Sequence, residues 1–259
     1  MRGLWDEEIE LKTCEEIRGM AAATALAAGA LRAGGFAVRP GARLGAVKAR
    51  AERYAKVHGA RDVRVFTSLN ATAAHGAPEG ITLRDGDLLT LDVSLCRNGW
   101  YGDVAWSFIA GRGNRAARRL LAAAWEAAWS AAHAARGGAR VGDVARRVRE
   151  TARRFRFGVA EECAGHGIGR SLHEAPAMGY ADPRVDGYLV PGMVFTVEPV
   201  LTAGSGLLLC NPAGSGLVTA DGSLAAQFEL TVAVLSFGPV LLNPAVALDP
   251  GVDTSGDAP

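Results

Sequence analysis

Two apolar runs, Leu88 to Leu95 and Trp100 to Ile109, are joined through Cys96-Arg97-Asn98-Gly99, and Asn-Gly is the strongest short-range signal for a β-hairpin. With 98–99 as a two-residue turn, Arg97 faces Trp100, Leu95 faces Gly102 and Ser94 faces Asp103. Strand alternation then puts Asp92, Ser94, Asp103 and Ala105 on one face, with the two aspartates as diagonal neighbours. Carboxylates so close cannot both stay ionised without a shared proton or a cation between them. A solvated hairpin with its acids in water is the competing reading; the flanking Leu91, Val93, Val104 and Trp106 argue against it.

The same difficulty recurs downstream. Glu198 lies in the apolar strand Met193-Val-Phe-Thr-Val-Glu-Pro199, and Glu229 in Gln227-Phe-Glu-Leu-Thr-Val-Ala-Val234. A mid-strand carboxylate needs a partner, yet no lysine or arginine occurs from Val185 to the C-terminus. Metal is therefore the better counter-charge. Gly165-His-Gly-Ile-Gly-Arg-Ser-Leu-His173-Glu-Ala-Pro176 adds His166 and His173 among small residues that let the backbone approach a ligand closely. Four carboxylates and one imidazole (Asp92, Asp103, His166, Glu198, Glu229) carry more charge than one dication balances, so two are expected. This ligand set suits Mn, Fe or Co, with Zn also compatible. There is no HExxH helix, dinucleotide loop, P-loop or GxSxG elbow, so water activated by two ions is the expected attacking group and hydrolysis the expected chemistry.

The remaining composition narrows the setting. The chain has 259 residues, 49% of them hydrophobic, and a net charge of +1, so no global field draws it toward DNA or an anionic membrane. The apolar run from Gly19 to Leu31 is shorter than the roughly 20 residues that span a bilayer. Cys14, Cys96, Cys163 and Cys210 are scattered, and the acidic start of the chain carries no export signal. A cytoplasmic protein without a disulfide framework is expected.

The pattern predicts a helix over 12–31, capped by Thr13 with Glu16 and ending before Gly34-Gly35. Further helices are predicted over 44–57, 115–135 and 141–154, and strands over 63–69, 88–95, 100–109 and, in a second strand-rich stretch, 194–237. Two stretches share a layout: His75-Gly-Ala-Pro78 then Gly86 to Asp92, and His173-Glu-Ala-Pro176 then Gly192 to Glu198. Two related halves facing each other are expected, within one α+β domain over 1–248 and ahead of a polar tail over 249–259.

The motifs Leu91-Asp-Val, Gly102-Asp-Val, Gly165-His-Gly-Ile-Gly-Arg, His173-Glu-Ala-Pro, Phe195-Thr-Val-Glu-Pro199 and Gln227-Phe-Glu229 resemble, in order and spacing, those of the type I methionine aminopeptidases. The likeness runs from Ile9 to about Val234. It implies a pita-bread fold of two pseudo-symmetric halves, antiparallel sheets flanked by helices, acting on the N-termini of peptides or nascent proteins. By resemblance, Asp92 would chelate one metal, Asp103 and Glu229 would bridge two, and His166 and Glu198 would complete the second. Glu198 would also relay the proton, and His75 and His173 would hydrogen-bond the substrate backbone. Phe66, Leu172 and Gln227 would complete the substrate-binding surface.

The chain departs from the family around the side-chain pocket. Leu172 stands where a phenylalanine is common, Ser215 where a tryptophan is frequent, and Leu230 where a histidine usually follows the last metal glutamate. Ala55 to Asp62 lacks the usual pocket aromatics and cysteine. Such changes alter preference by differential binding. The rivals are therefore a related pita-bread peptidase or amidase with a non-methionine substrate, against which the lack of a large N-terminal domain weighs, and a non-catalytic peptide-binding module. The stretch Arg136, Arg140, Arg146, Arg147, Arg149, Arg153, Arg154 could touch ribosomal RNA, although a solvated helix face carries more weight. A monomer is expected.

Overall fold

The computed structural model describes residues 8–76, 80–181, 187–212 and 214–243. The tail expected over 249–259 lies outside them. In chain order the elements are α1 (Cys14–Gly35), α2 (Leu44–Val57), β1 (Arg61–Leu69), β2 (Thr72–Ala74), β3 (Leu88–Arg97) and β4 (Trp100–Ile109), then α3 (Arg115–Ala134) and α4 (Val141–Phe155). The strands that follow are β5 (Gly158–Val159), β6 (Ala164–Gly167), β7 (Glu174–Gly179), β8 (Val194–Val197), β9 (Val200–Thr202), β10 (Leu208–Cys210), β11 (Leu217–Thr219), β12 (Ala225–Gln227), β13 (Leu230–Leu235) and β14 (Gly238–Leu241). Among the described residues no helix is long and apolar enough to cross a membrane.

Each half places two helices before a sheet. One sheet runs β1-β3-β4 and the other β14-β13-β8-β6-β7. The central strands correspond: β3 lies between β1 and β4, as β8 lies between β6 and β13. This is the two-half arrangement that the repeated His-Pro and Gly-to-carboxylate spacing predicts. The halves join where β4 meets the start of β13. Trp106 bridges Phe228 there, and the two rings meet edge-on at 4.7 Å with Trp125 of α3 beside them. Trp106 and Phe228 are fully buried, and aromatic pairs of this geometry add to the area they remove from water.

The hairpin has the predicted register, including Arg97 opposite Trp100 and Ser94 opposite Asp103. Asn98 and Gly99 both take positive φ, as a type I′ turn requires. At the other end of the first half, Thr13 and Glu16 form a reciprocal capping box on α1.

Two expectations need correction. Helix α1 does not stop before Gly34-Gly35 but runs through both. These glycines serve packing: a Cβ on Gly34 would lie 3.1 Å from Leu91, and one on Gly35 would lie 2.6 Å from the Phe108 ring. Strand structure in the second half begins at Gly158 rather than Val194. The Gly- and Pro-rich β6 and β7 carry little strand propensity, yet in β6 glycine is what the neighbours permit. A Cβ on Gly165 would collide with the Thr196 carbonyl, and one on Gly167 with that of Ala175.

Candidate metal centre and substrate cavity

The hairpin delivers the first two acids. Asp92 sits mid-strand on β3, paired with Phe66 on one side and Ala105 on the other, and Asp103 sits on β4. In the second half the acids flank the strands instead of sitting within them, a further correction. Glu198 follows the last residue of β8, and Glu229 precedes β13. Pro199 cannot continue the ladder. At 228–229 the chain leaves β9, the partner of β12, and turns onto β4, where the Glu229 N–H donates to the Ala105 carbonyl at 2.8 Å.

Side chains then hold what the ladder does not. The Glu198 N–H donates to the buried Tyr180 hydroxyl at 2.8 Å, and the Glu198 carboxylate accepts from Thr196 Oγ1 at 2.7 Å and Gln227 Nε2 at 3.2 Å. Thr196 Oγ1 also accepts the His166 N–H at 3.0 Å. Asn243 Nδ2 donates to the Glu229 carbonyl at 3.1 Å, and Thr231 Oγ1 to that of Asp103 at 3.0 Å.

His166 lies between the halves. Its Nδ1 is 3.0 Å from the Gly167 carbonyl, which can only accept, so the proton sits on Nδ1 and the Nε2 lone pair faces the acids. Nε2 is 3.5 Å from Glu198 Oε1 and 3.8 Å from Asp103 Oδ2. Burial pushes this imidazole down to about 4, which keeps it neutral. The acids respond in the opposite sense. Burial pushes Asp92 up to about 7 and Glu198 up to about 8, while burial and then the neighbouring carboxylates lift Asp103 and Glu229 well above the ordinary range. A dication would reverse these shifts by favouring every charged form.

The donor set fits a cation. Asp103 Oδ1 and Glu229 Oε1 are buried without a hydrogen-bond partner, and an unsatisfied buried carboxylate oxygen is costly. Ligand atoms of Asp103, His166 and Glu229 lie within 4.8 Å of one another.

Above this floor opens a cavity of about 550 Å³. Its lining brings together all ten residues singled out from the sequence: the five ligand candidates with His75, His173, Phe66, Leu172 and Gln227. His173 packs edge-on against His166, ring centroids 4.2 Å apart. His75 takes a positive φ of 53°, an uncommon conformation for a side-chain-bearing residue, and its ring lies 5.2 Å from that of Phe66. Of the departures noted above, Leu172 and Ser215 both line the cavity, whereas Leu230 is buried in the core.

Sequence reasoning missed Tyr180, Thr196 and Asn243, which act through their neighbours, and Arg64, which lines the cavity itself. For Arg64 a signal existed: it lies two residues from Phe66 on β1 and so shares its face. A separate cavity of about 610 Å³ near α3 and α4 is lined by Arg136, Arg146 and Arg147 but touches none of the carboxylate cluster. Arg146, Arg147, Arg149 and Arg154 pair with Asp143, Glu150, Glu161 and Glu126, as on a solvated helix face.

Comparison with known proteins agrees with this geometry. The model of metallopeptidase family M24 matches residues 18–236. A methionine aminopeptidase of Clostridium acetobutylicum is 33% identical over 190 residues, covering 73% of this chain and 76% of the relative. One from Aquifex aeolicus is 35% identical over 184 residues, covering 68% and 70%. Among solved structures, the methionine aminopeptidase of Rickettsia prowazekii superposes with a TM-score of 0.87 at 28% identity, covering 91% of this chain and 99% of that one. The prolidase of Pyrococcus furiosus gives a TM-score of 0.74 at 25% identity, covering 90% and 64%. These structures share the pita-bread fold.

Proposed function

The chain belongs to metallopeptidase family M24, and from that premise we propose that it is an aminopeptidase that hydrolyses the N-terminal residue, methionine by likeness to its relatives, from peptides or nascent proteins. The observation that carries this reading is the pair of orphaned buried oxygens, Asp103 Oδ1 and Glu229 Oε1, beside the inward lone pair of a neutral His166 at the floor of an open cavity. Asp92, Asp103, His166, Glu198 and Glu229 would hold two divalent ions, with Mn, Co, Fe and Zn all compatible with the donors. Bound there, such ions supply Lewis acidity and a water of lowered pKa.

The chain's own residues do the rest. Glu198 moves the proton: Thr196 and Gln227 fix its carboxylate, and Tyr180 fixes its backbone. His75 and His173, on the cavity wall, donate hydrogen bonds to the substrate backbone, and Phe66 and Leu172 contribute apolar surface. Cytoplasmic residence belongs to the same reading, since the four cysteines are free.

A second reading has one specific observation in its favour. Leu172 and Ser215 leave the cavity wall without the bulk usual in methionine-specific members, which fits a related peptidase with another preferred residue. Mass spectrometry of an Xaa-Ala-Ser peptide panel, with each metal supplied separately, tests both. Release of methionine above all other residues is expected under the first reading, and a different leading residue establishes the second. Glu198→Gln should abolish cleavage. Peptide binding without cleavage under every metal, indifferent to that substitution, would make the protein a non-catalytic module.

A further inference from the structure

Arg64 is the one lysine or arginine among the residues lining the cavity. Strand register fixes where it stands. Arg64 pairs with Ser94 and Phe66 with Asp92, while Ser94 in turn pairs with Asp103. Paired residues of an antiparallel sheet share a face, so Arg64 and Phe66 rise from the same surface as both aspartates. At about 3.4 Å per residue along a strand, Arg64 stands roughly 7 Å from Phe66.

This guanidinium is exposed and makes no hydrogen bond or ion pair among the described residues. Two arginines near the hairpin turn are engaged: Arg97 on the Ala22 carbonyl, and Arg170 on the Gly99 carbonyl and across the Trp100 ring. Its charge is not consumed by the floor either, since on the reading above two dications balance the four carboxylates. Five donors in a planar fork are thus left on the lining of the cavity. A guanidinium is built for bidentate recognition of a carboxylate.

We infer that Arg64 is a specificity residue that binds a carboxylate of the peptide substrate. The inference rests on the aminopeptidase reading and deepens it. The roughly 7 Å offset matches about two residues of extended peptide. The carboxylate therefore comes either from an acidic side chain close to the scissile bond or from the C-terminus of a short peptide. A bound carboxylate here also meets the one positive side chain on a wall that otherwise carries Glu162 and the acids of the floor.

Kinetics on five peptides test this: Met-Ala-Ser as free acid and as amide, and the amides of Met-Asp-Ser, Met-Ala-Asp and Asp-Ala-Ser. At least one carboxylate-bearing peptide should exceed the Met-Ala-Ser amide by about tenfold in kcat/KM, the size of one charge-assisted hydrogen bond. Preference for the free acid identifies the C-terminus as the source, and preference for an aspartyl amide identifies the side chain. In Arg64→Met the ratio should fall to about 1 through KM, and Arg64→Lys should restore part of it. If no carboxylate-bearing peptide exceeds the Met-Ala-Ser amide in the wild type, the inference is overturned, as it is by a ratio that survives Arg64→Met. An equal fall in kcat for every peptide also overturns it, since Arg64 would then be only a counter-charge to the floor. If no peptide is cleaved, the aminopeptidase reading fails; calorimetric binding of the acid and amide peptides to the wild type and Arg64→Met then decides the inference by the same ratio.

Discussion

The two halves bring equivalent acids to the same floor by different means. In the first, Asp92 and Asp103 lie inside long paired strands, so the backbone ladder aims them, and the one side-chain bond to their backbone among the described residues comes from Thr231. In the second, Glu198 and Glu229 lie just outside β8 and β13, and Tyr180, Thr196, Gln227 and Asn243 take over from the ladder. A ladder places a side chain through many small bonds, none of them decisive. Props place it through a few bonds, each of which can be removed. The first half should therefore fail all at once when its packing is broken, and the second half by degrees.

The largest expected effect breaks the first half. Gly102 lies directly beneath α1, where a Cβ would sit 2.5 Å from the backbone of Ala23 and Thr24. Helix backbone cannot give way as a side chain end can. Gly102→Val should cost about 3 kcal/mol or more, at or above the upper range for overpacked cores, and should lower metal affinity because Asp103 is the next residue. Urea denaturation with metal titration measures both; an unchanged midpoint would mean that α1 does not hold the hairpin in place.

Next in size is Tyr180→Phe, which leaves the Glu198 N–H buried and without its acceptor. An orphaned buried donor costs about 1–3 kcal/mol, and loss of a group that orients a metal ligand lowers metal affinity about 10- to 100-fold. Asn243→Ala, which releases the Glu229 carbonyl and the Thr231 N–H, should cost about as much in stability but disturb the site less, because Glu229 keeps its bond to the Ala105 carbonyl. Circular dichroism should show both variants folded. If either one unfolds as completely as Gly102→Val, the distinction between ladder and props is wrong.

The same contrast explains what could be read in advance. The hairpin was legible to the residue because a two-residue turn sets register, and register sets which side chains share a face. Glu198 and Glu229 were legible as problems, being acids in apolar runs without basic neighbours, although their places at strand ends were not. Strand β6 was invisible to propensity because close contact with Thr196 and Ala175 selects glycine where a strand would ordinarily show branched residues, and β7 because it carries Pro176 and Gly179 in place of them. Tyr180 and Asn243 carry no local sign of their roles, since each acts on a residue distant in sequence.

The smallest effect concerns another prop of the second half. Asp221 accepts the backbone N–H groups of Ser205 and Ser223, each at 3.0 Å, and so ties down the loop between β9 and β10. Hydrogen bonds from Ser223 and then Ser205 hold its carboxyl down at about 2. A carboxyl depressed below its unfolded value of about 3.9 stabilises the fold above that pH and loses its contribution as pH falls toward the folded value. The gap in urea midpoint between the wild type and Asp221→Ala should therefore be constant above about pH 5 and narrow between roughly pH 4 and 2. Taking the difference between variants cancels the titration of the metal-site acids. A gap that widened on acidification would reverse the sign of the argument and show that Asp221 is no anionic prop for its loop.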